Sequence, residues 1–286
     1  MAKLLEGKPI AEKIKEETRI KVEELKKEGV VPKLVAIQVG ENQASAVYLK
    51  SQQKICASLG VEYQLRNLPE NISQADLAGE IGRLNQDSSV SGIILQMPLP
   101  AHIESRSAQA LIAPQKDVEG VTPTNLGLLV LAKPRFVPCT AAGVMELLRA
   151  TGERLYGKEA VVVGHSEIVG KPVALLLLSE FVTTTVCHIA TGQRGTLPEF
   201  VKKGELLVVA VGKAGLIKGE WVKEGAIVID VGINRVGDRI VGDVEFEEAE
   251  KRAAWITPVP GGVGPLTVAI LVKNTVLAAQ LSKHSS

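Results

Sequence analysis

The sequence predicts two α/β domains, the second built on a doubly wound parallel sheet. Three observations lead there. Short apolar runs alternate with helix-length segments over residues 34–97 and again over 160–232, the pattern of parallel strands covered by helices. Between these blocks lies a less regular stretch, about 112–140, that holds Pro114, Pro123, Pro134 and Pro138, and the chain is expected to cross between domains there. Residues 257–267 then place three prolines and three glycines in one segment. That composition excludes a helix interior or a central strand and predicts a loop of one fixed shape with room for a flat ligand beside bare backbone.

The elements follow in order. Residues 9–28 read as an amphipathic helix rich in Lys and Glu, 34–40 as a buried strand, 44–59 as a helix and 61–68 as a strand. A helix at 74–86 leads to the apolar strand 92–97. In the second block 160–164 is a strand ending in glycine and 170–179 a helix. Strands follow at 184–188, 206–212 and 226–232, and a helix runs on from Val268. That last helix puts its N-terminus against the 257–267 loop, which favours negative charge or acceptor oxygens nearby.

A net charge of +1 and only 3% aromatic residues give no footprint for nucleic acid or an anionic membrane. Cys56, Cys139 and Cys187 are isolated, form no metal-ligand spacing and suit a reducing, cytoplasmic setting. No signal peptide and no uncharged run of membrane-spanning length is visible. No metal site is expected.

Two regions carry candidate chemistry. Residues 163–172 join a strand to a helix with Gly164 and Gly170 at the two ends of the turn. The spacing is not Gly-x-Gly-x-x-Gly, yet such a turn can aim backbone N–H groups at a phosphate; packing alone also explains glycines there. Gly212 and Gly232 close two more strands. Ligands of doubly wound sheets lie beyond the carboxyl ends of the strands, so the three glycines together predict a dinucleotide site. In the first domain, Tyr48 and Gln52 share a helix face, whereas Lys50 and Lys54 point away from it. Gln96 ends a strand, and residues 116–120 (Lys-Asp-Val-Glu-Gly) put acids in a loop. Read singly, these are a solvated helix face, a strand-end polar group and a turn acid.

Together they resemble the methylenetetrahydrofolate dehydrogenase/cyclohydrolase family, over nearly the whole chain. The resemblance is carried by the Pro-Val-Pro-Gly-Gly-Val-Gly-Pro loop, by Gly-x-Ser-x-Ile-Val-Gly-x-Pro at 164–172 and by Asp-Val-Gly-Ile-Asn at 230–234. The Ser-x-x-Tyr helix and Gln96 before Pro98-Leu-Pro complete it. It implies a folate-binding domain made of residues 1–120 and 266–286, a Rossmann-type NAD(P)-binding domain at 140–265, an active site in the cleft between them, and a homodimer. It implies that Tyr48 shapes the pocket, Gln96 orients the substrate, Glu119 holds the pterin edge, and Thr140, Pro260, Gly261 and Gly262 contact the substrate. Gly164, His165, Ser166, Ile168, Gly212 and Ile233 would line the nicotinamide cofactor, NADP or NAD.

The chain also departs from the family pattern. Tyr-x-x-x-Lys-x-Lys reads Tyr48 to Lys54 with Gln52 at the catalytic lysine. Asp-Val-Asp-Gly has Glu119 as its second acid, Pro-Cys-Thr-Pro ends in Ala141, and His165 stands where many members carry a basic residue facing the NADP 2′-phosphate. Hydride transfer to a nicotinamide needs orientation and electrostatics. Hydrolysis of the methenyl product needs proton movement, which a lysine of lowered pKa can supply and a glutamine amide cannot. The expectation is a dehydrogenase with weak or absent cyclohydrolase activity that uses NADP with reduced discrimination against NAD; Arg194 is a further candidate for the 2′-phosphate. Two alternatives remain at this point: retention of both activities through water chains, and a folate- or nucleotide-binding paralogue without turnover.

Overall fold

The computed structural model describes residues 1–41 and 43–283; residues 284–286, expected at the end of the first domain, lie outside them. The first half of the chain contains β1 (Lys3–Leu4), α1 (Gly7–Lys27), β2 (Lys33–Val39), α2 (Gln43–Leu59) and β3 (Glu62–Leu68). It continues through α3 (Gln74–Gln86), β4 (Gly92–Leu95), α4 (Ser105–Ala110), α5 (Pro123–Val130) and α6 (Cys139–Ala150). The second half has β5 (Glu159–Val163), α7 (Gly170–Ser179), β6 (Thr183–Cys187), α8 (Ile189–Gln193), α9 (Leu197–Val201) and β7 (Leu206–Val209). A 3-10 turn at Gly219–Trp221 precedes β8 (Ile227–Asp230), β9 (Asn234–Val236), β10 (Arg239–Val241), α10 (Phe246–Arg252), β11 (Trp255–Ile256) and α11 (Gly264–Lys283). Two compact units result, one of residues 12–137 with 268–286 and one of residues 1–11 with 138–267.

The first unit holds a three-stranded parallel sheet in the order β3-β2-β4. The central β2 is buried on both faces and is apolar throughout its middle, Leu34 to Ile37. The edge strand β3 is largely exposed and correspondingly polar. Alternate residues of the sheet, Val35, Ile37, Ile93 and Leu95, pack with Leu77, Ile81 and Leu84 on the inner stripe of α3. Ser73 caps α3, its hydroxyl accepting from Asp76 N at 3.1 Å.

The second unit holds a six-stranded parallel sheet in the order β1-β11-β8-β7-β5-β6. The chain places β6 on one side of β5 and then β7 on the other, which makes the carboxyl ends of β5 and β7 a topological switch point, the usual ligand position of such sheets. An antiparallel hairpin, β9–β10, follows β8 and turns at Gly237 with φ +59°.

By contact residues 1–11 group with the six-stranded sheet, where β1 pairs parallel with β11; a two-residue strand leaves no periodicity to read. One expectation needs correction. The last helix begins at Gly264, not Val268. Pro265 fits its first turn, where a missing N–H has no acceptor to lose. By length and apolarity α11 resembles a membrane-crossing helix, but 61% of its apolar window is buried within the protein.

Residues 257–263 keep their shape by backbone contact. Gly262 N donates to Pro258 O at 2.8 Å, and Gly7 N donates to Gly261 O at 2.9 Å. Gly261 has φ +119°. A methyl group on Gly7 would lie 1.8 Å from Gly262 O. Alanine is the better helix former by about 1 kcal/mol, but a collision with a backbone oxygen outweighs that gain. Gly7→Ala is expected to lower the unfolding free energy by about 1–3 kcal/mol, read as a reduced urea midpoint; an unchanged or raised midpoint would show that the loop yields freely.

Candidate active site

The nucleotide region is built at the switch point. A cavity of about 540 Å³ is lined by Gly164 and His165 after β5, by His188, Ile189 and Gln193 after β6, and by Lys213 after β7, among others. Gly164 has φ +123°, and a Cβ there would fall 2.3 Å from Ala210 O. A Cβ on Gly170 would fall 2.1 Å from Gly164 O. The two glycines therefore let β5, the start of α7 and the end of β7 approach with no side chain between them. The His165 and His188 rings meet edge to face, 5.4 Å between centroids. Among the described residues no carboxylate lines the cavity, and its lining suits a phosphate. Its size, glycines and basic lining fit a dinucleotide.

A buried carboxylate shapes the wall of that cavity. Asp243 is 0% exposed and accepts from Val211 N, Gly212 N and Lys213 N at 2.7, 3.0 and 2.8 Å, and from Asn234 Nδ2 at 2.8 Å. Three consecutive N–H groups converging on one anion set the turn after β7, in which Gly212 has φ +65°. Asp230 lies beneath and accepts from Gly232 N, Asp243 N and Val244 N at 2.9–3.0 Å. Burial pushes Asp230 up to about 6, against the pull of those hydrogen bonds. A Cβ on Gly242 would strike the Asp230 carboxylate and one on Gly232 that of Asp243, so these glycines are there for close approach.

In the first unit α2 places Gln52 wholly inside, 0% exposed, with Tyr48 partly buried one turn earlier and Lys50 and Lys54 exposed. Gln52 Oε1 accepts from the Tyr63 hydroxyl of β3 at 3.0 Å and from Gln96 Nε2, just past β4, at 3.4 Å. Gln52 Nε2 has no acceptor among the described residues. Burial raises the Tyr63 pKa, so the phenol stays protonated and able to donate. Asp117 bridges to Ile93 of β4 and accepts from Gly120 N, Thr122 N and Asn125 Nδ2 at 2.8–3.0 Å, and from Val121 N at 3.2 Å. Those bonds form the turn that carries Glu119. Burial, and secondarily the charge of Asp117, push Glu119 up to about 8. Among the described residues no cluster of His, Cys, Asp and Glu could hold a metal ion.

Residues 5–119 match the catalytic domain of tetrahydrofolate dehydrogenase/cyclohydrolase, and residues 138–283 match the NAD(P)-binding domain of the same enzymes. The chain belongs to the tetrahydrofolate dehydrogenase/cyclohydrolase family. It is 52% identical to the bifunctional protein FolD of Acetivibrio thermocellus over 281 residues, 98% of either chain. The crystal structure of the bifunctional FolD of Campylobacter jejuni superimposes with a TM-score of 0.95 at 46% identity, covering 98% of this chain and 99% of that one. The Trypanosoma brucei FolD, solved with NADP and an inhibitor, gives 0.94 at 41%, covering 99% and 98%. The two-domain α/β architecture and the Rossmann-type NAD(P)-binding domain expected from the sequence are those of the family.

Of the cofactor residues expected from the family, Gly164 and His165 line the cavity. Ser166 is occupied at the start of α7, its hydroxyl accepting from Val169 N and Gly170 N at 3.2 and 3.4 Å. Ile168 and Ile233 stand out from the surface at 52% and 67% exposure. Gly212 sits between two lining residues, Val211 and Lys213. Gln193 lines the cavity and its neighbour Arg194 is not among the lining residues. Of the substrate residues, Thr140 Oγ1 lies 3.4 Å from Thr267 Oγ1, while Pro260 is exposed and Gly262 buried. His188 and Lys213 were not anticipated. His188 directly follows a strand of a doubly wound sheet, the place where the ribose hydroxyls are recognised in such folds, and that rule would have found it.

A carboxyl whose pKa is higher folded than unfolded contributes stability that is complete below the unfolded value and is lost as pH rises through the folded one. For Glu119 that window runs from about 4.5 to about 8. Glu119→Gln is therefore expected to gain thermal stability over the parent progressively from pH 5 to pH 9. A melting-temperature difference that does not change with pH would show that Glu119 ionises normally.

Proposed function

We propose that this enzyme oxidises 5,10-methylenetetrahydrofolate to 5,10-methenyltetrahydrofolate with NADP⁺ or NAD⁺ and hydrolyses the product only slowly. The observation that carries the proposal is Gln52, buried and neutral at the lysine position, with Lys50 and Lys54 both turned to solvent. The bound nicotinamide accepts a hydride from the one-carbon bridge. The protein's own part in that step is binding and orientation. Gln96 and Tyr48 would set the folate, with Thr140, Pro260, Gly261 and Gly262 as its backbone-lined wall. Glu119, a carboxyl still largely protonated at neutral pH, would donate to the pterin edge. Gly164, His165, His188 and Lys213 would hold the dinucleotide. Hydrolysis asks more, because water must lose a proton as it adds to the methenyl carbon. The Gln52 amide has no useful pKa for that.

A second reading keeps both activities at comparable rates. The curated relatives are called bifunctional, which favours it and gives no support to the loss of hydrolysis. Glu119, titrating near 8, is a group able to exchange a proton in the working pH range.

Assays of the two half-reactions, run separately, distinguish the readings. Slow hydrolysis beside fast hydride transfer supports the first; matched rates support the second. Gln52→Lys tests the cause directly. A positioned acid/base contributes about 10²–10⁴-fold, so methenyltetrahydrofolate hydrolysis, corrected for the spontaneous rate, is expected to rise by that order. Dehydrogenase turnover is expected to change less, or to fall as a second cation approaches the cationic product. A folded, folate-binding variant with no increase would sink the assignment of position 52.

Cofactor preference follows from the basic, carboxylate-free lining. His165, His188 and Lys213 accept a 2′-phosphate without requiring one. NADP⁺ is expected to be preferred over NAD⁺ by less than about a thousandfold in kcat/KM, roughly 4 kcal/mol. A larger ratio in parallel steady-state assays contradicts this.

A further inference from the structure

Tyr63 lies on β3, the edge strand of the catalytic-domain sheet, and belongs to none of the motifs that mark the family. Its hydroxyl donates to Gln52 Oε1 at 3.0 Å, and Gln96 Nε2 approaches the same oxygen at 3.4 Å. An amide oxygen has two lone pairs, and both are directed at the protein here. The other end of the amide is the reverse case. Gln52 Nε2 is buried and has no acceptor among the described residues, and an unpaired buried donor is more unfavourable than a typical hydrogen bond is favourable. The opposite orientation of the amide would bring the Gln52 –NH₂ against the Gln96 –NH₂, donor to donor. The Gln96 –NH₂ therefore disfavours the flipped amide, and Tyr63, whose hydroxyl makes the shorter bond to Gln52 Oε1, anchors the oxygen in the orientation observed.

We propose that Tyr63 is a positioning residue of the folate site: it holds the Gln52 oxygen against the protein and leaves the Gln52 –NH₂ for an acceptor atom of the bound folate. The contact is made directly or across one bridging water, which suits an amide so deeply buried. This rests on the proposal that the domain binds methylenetetrahydrofolate. It also accounts for the behaviour of position 52 toward water. With its oxygen occupied and only N–H groups presented, the amide cannot accept a hydrogen bond from a water attacking the one-carbon unit.

The experiment is a double-mutant cycle on dehydrogenase kinetics with methylenetetrahydrofolate varied, using the full-length parent, Tyr63→Phe, Gln52→Met and the double variant. Methionine keeps the volume of the buried side chain. Tyr63→Phe in the parent is expected to raise KM about two- to tenfold, the factor for one neutral hydrogen bond, with a smaller change in kcat. In the Gln52→Met background the same replacement is expected to change nothing further, because Tyr63 acts only through the amide. A general packing role would give the same factor in both backgrounds, and that result, or no effect in the parent, overturns the proposal. If the parent protein turns over no methylenetetrahydrofolate, it is the dehydrogenase proposal that fails. The four proteins are then titrated with tetrahydrofolate by calorimetry, and the same pattern in Kd decides Tyr63; no binding by the parent overturns both.

Discussion

Two buried carboxylates, Asp230 and Asp243, hold the nucleotide domain in its working shape. Neither has a cation as partner among the hydrogen bonds that satisfy it. Asp243 is met by three consecutive backbone N–H groups and the Asn234 amide, Asp230 by three more N–H groups, one of them that of Asp243 itself. A buried anion is tolerable only with such full coordination. Here the coordination ties the turn after β7 to the end of β8 and the start of the β9–β10 hairpin. The glycines at 212, 232 and 242 follow from it, since larger residues would adopt the wrong φ or strike a carboxylate. Gly164 and Gly170 serve a separate close approach, that of β5 and the start of α7 to the end of β7. Both arrangements border the cavity, the one through Val211 and Lys213 and the other through Gly164 and Ala210.

The catalytic domain solves a similar problem in the same manner. Asp117 collects the N–H groups of residues 120–122 and the Asn125 amide, while the buried Lys116 Nζ donates to the carbonyls of Leu84 and Asp87. Two adjacent charges of opposite sign are thus each satisfied by neutral groups, not by each other. The consequence falls on Glu119, raised on the turn that Asp117 makes and within reach of its field. Burial and that neighbouring charge both favour its protonated form. An acid with one more methylene than the family pattern is thereby kept able to donate.

Around position 52 the polar groups are neutral. Gln52, Gln96 and Tyr63 form a small hydrogen-bonded set in which the Gln52 oxygen accepts from both partners. A lysine in the same place would bring a charge, a pKa sensitive to burial and a path for protons. The amide brings only geometry. Under the proposed reading hydride transfer runs on geometry and water addition does not, and position 52 is where the two reactions would part.

The sequence by itself determined the alternation of strands and helices, the turn at 163–170 and the family, because these rest on local pattern: apolar periodicity, proline and glycine punctuation, and motif spacing. It also determined that Gln52 shares a face with Tyr48, since helical geometry needs no neighbours to compute. Only the tertiary structure decided where β1 pairs, because a two-residue strand is held wholly by its partner β11. Only it showed Asp243 behind the nucleotide cavity and His188 and Lys213 within it, residues that come together from the ends of separate strands. Above all it decided what Gln52 faces. Tyr63 lies eleven positions away along the chain and on another element. Which end of an amide is paired and which is left open depends on its neighbours, Tyr63 and Gln96 together, and on no property of the residue itself.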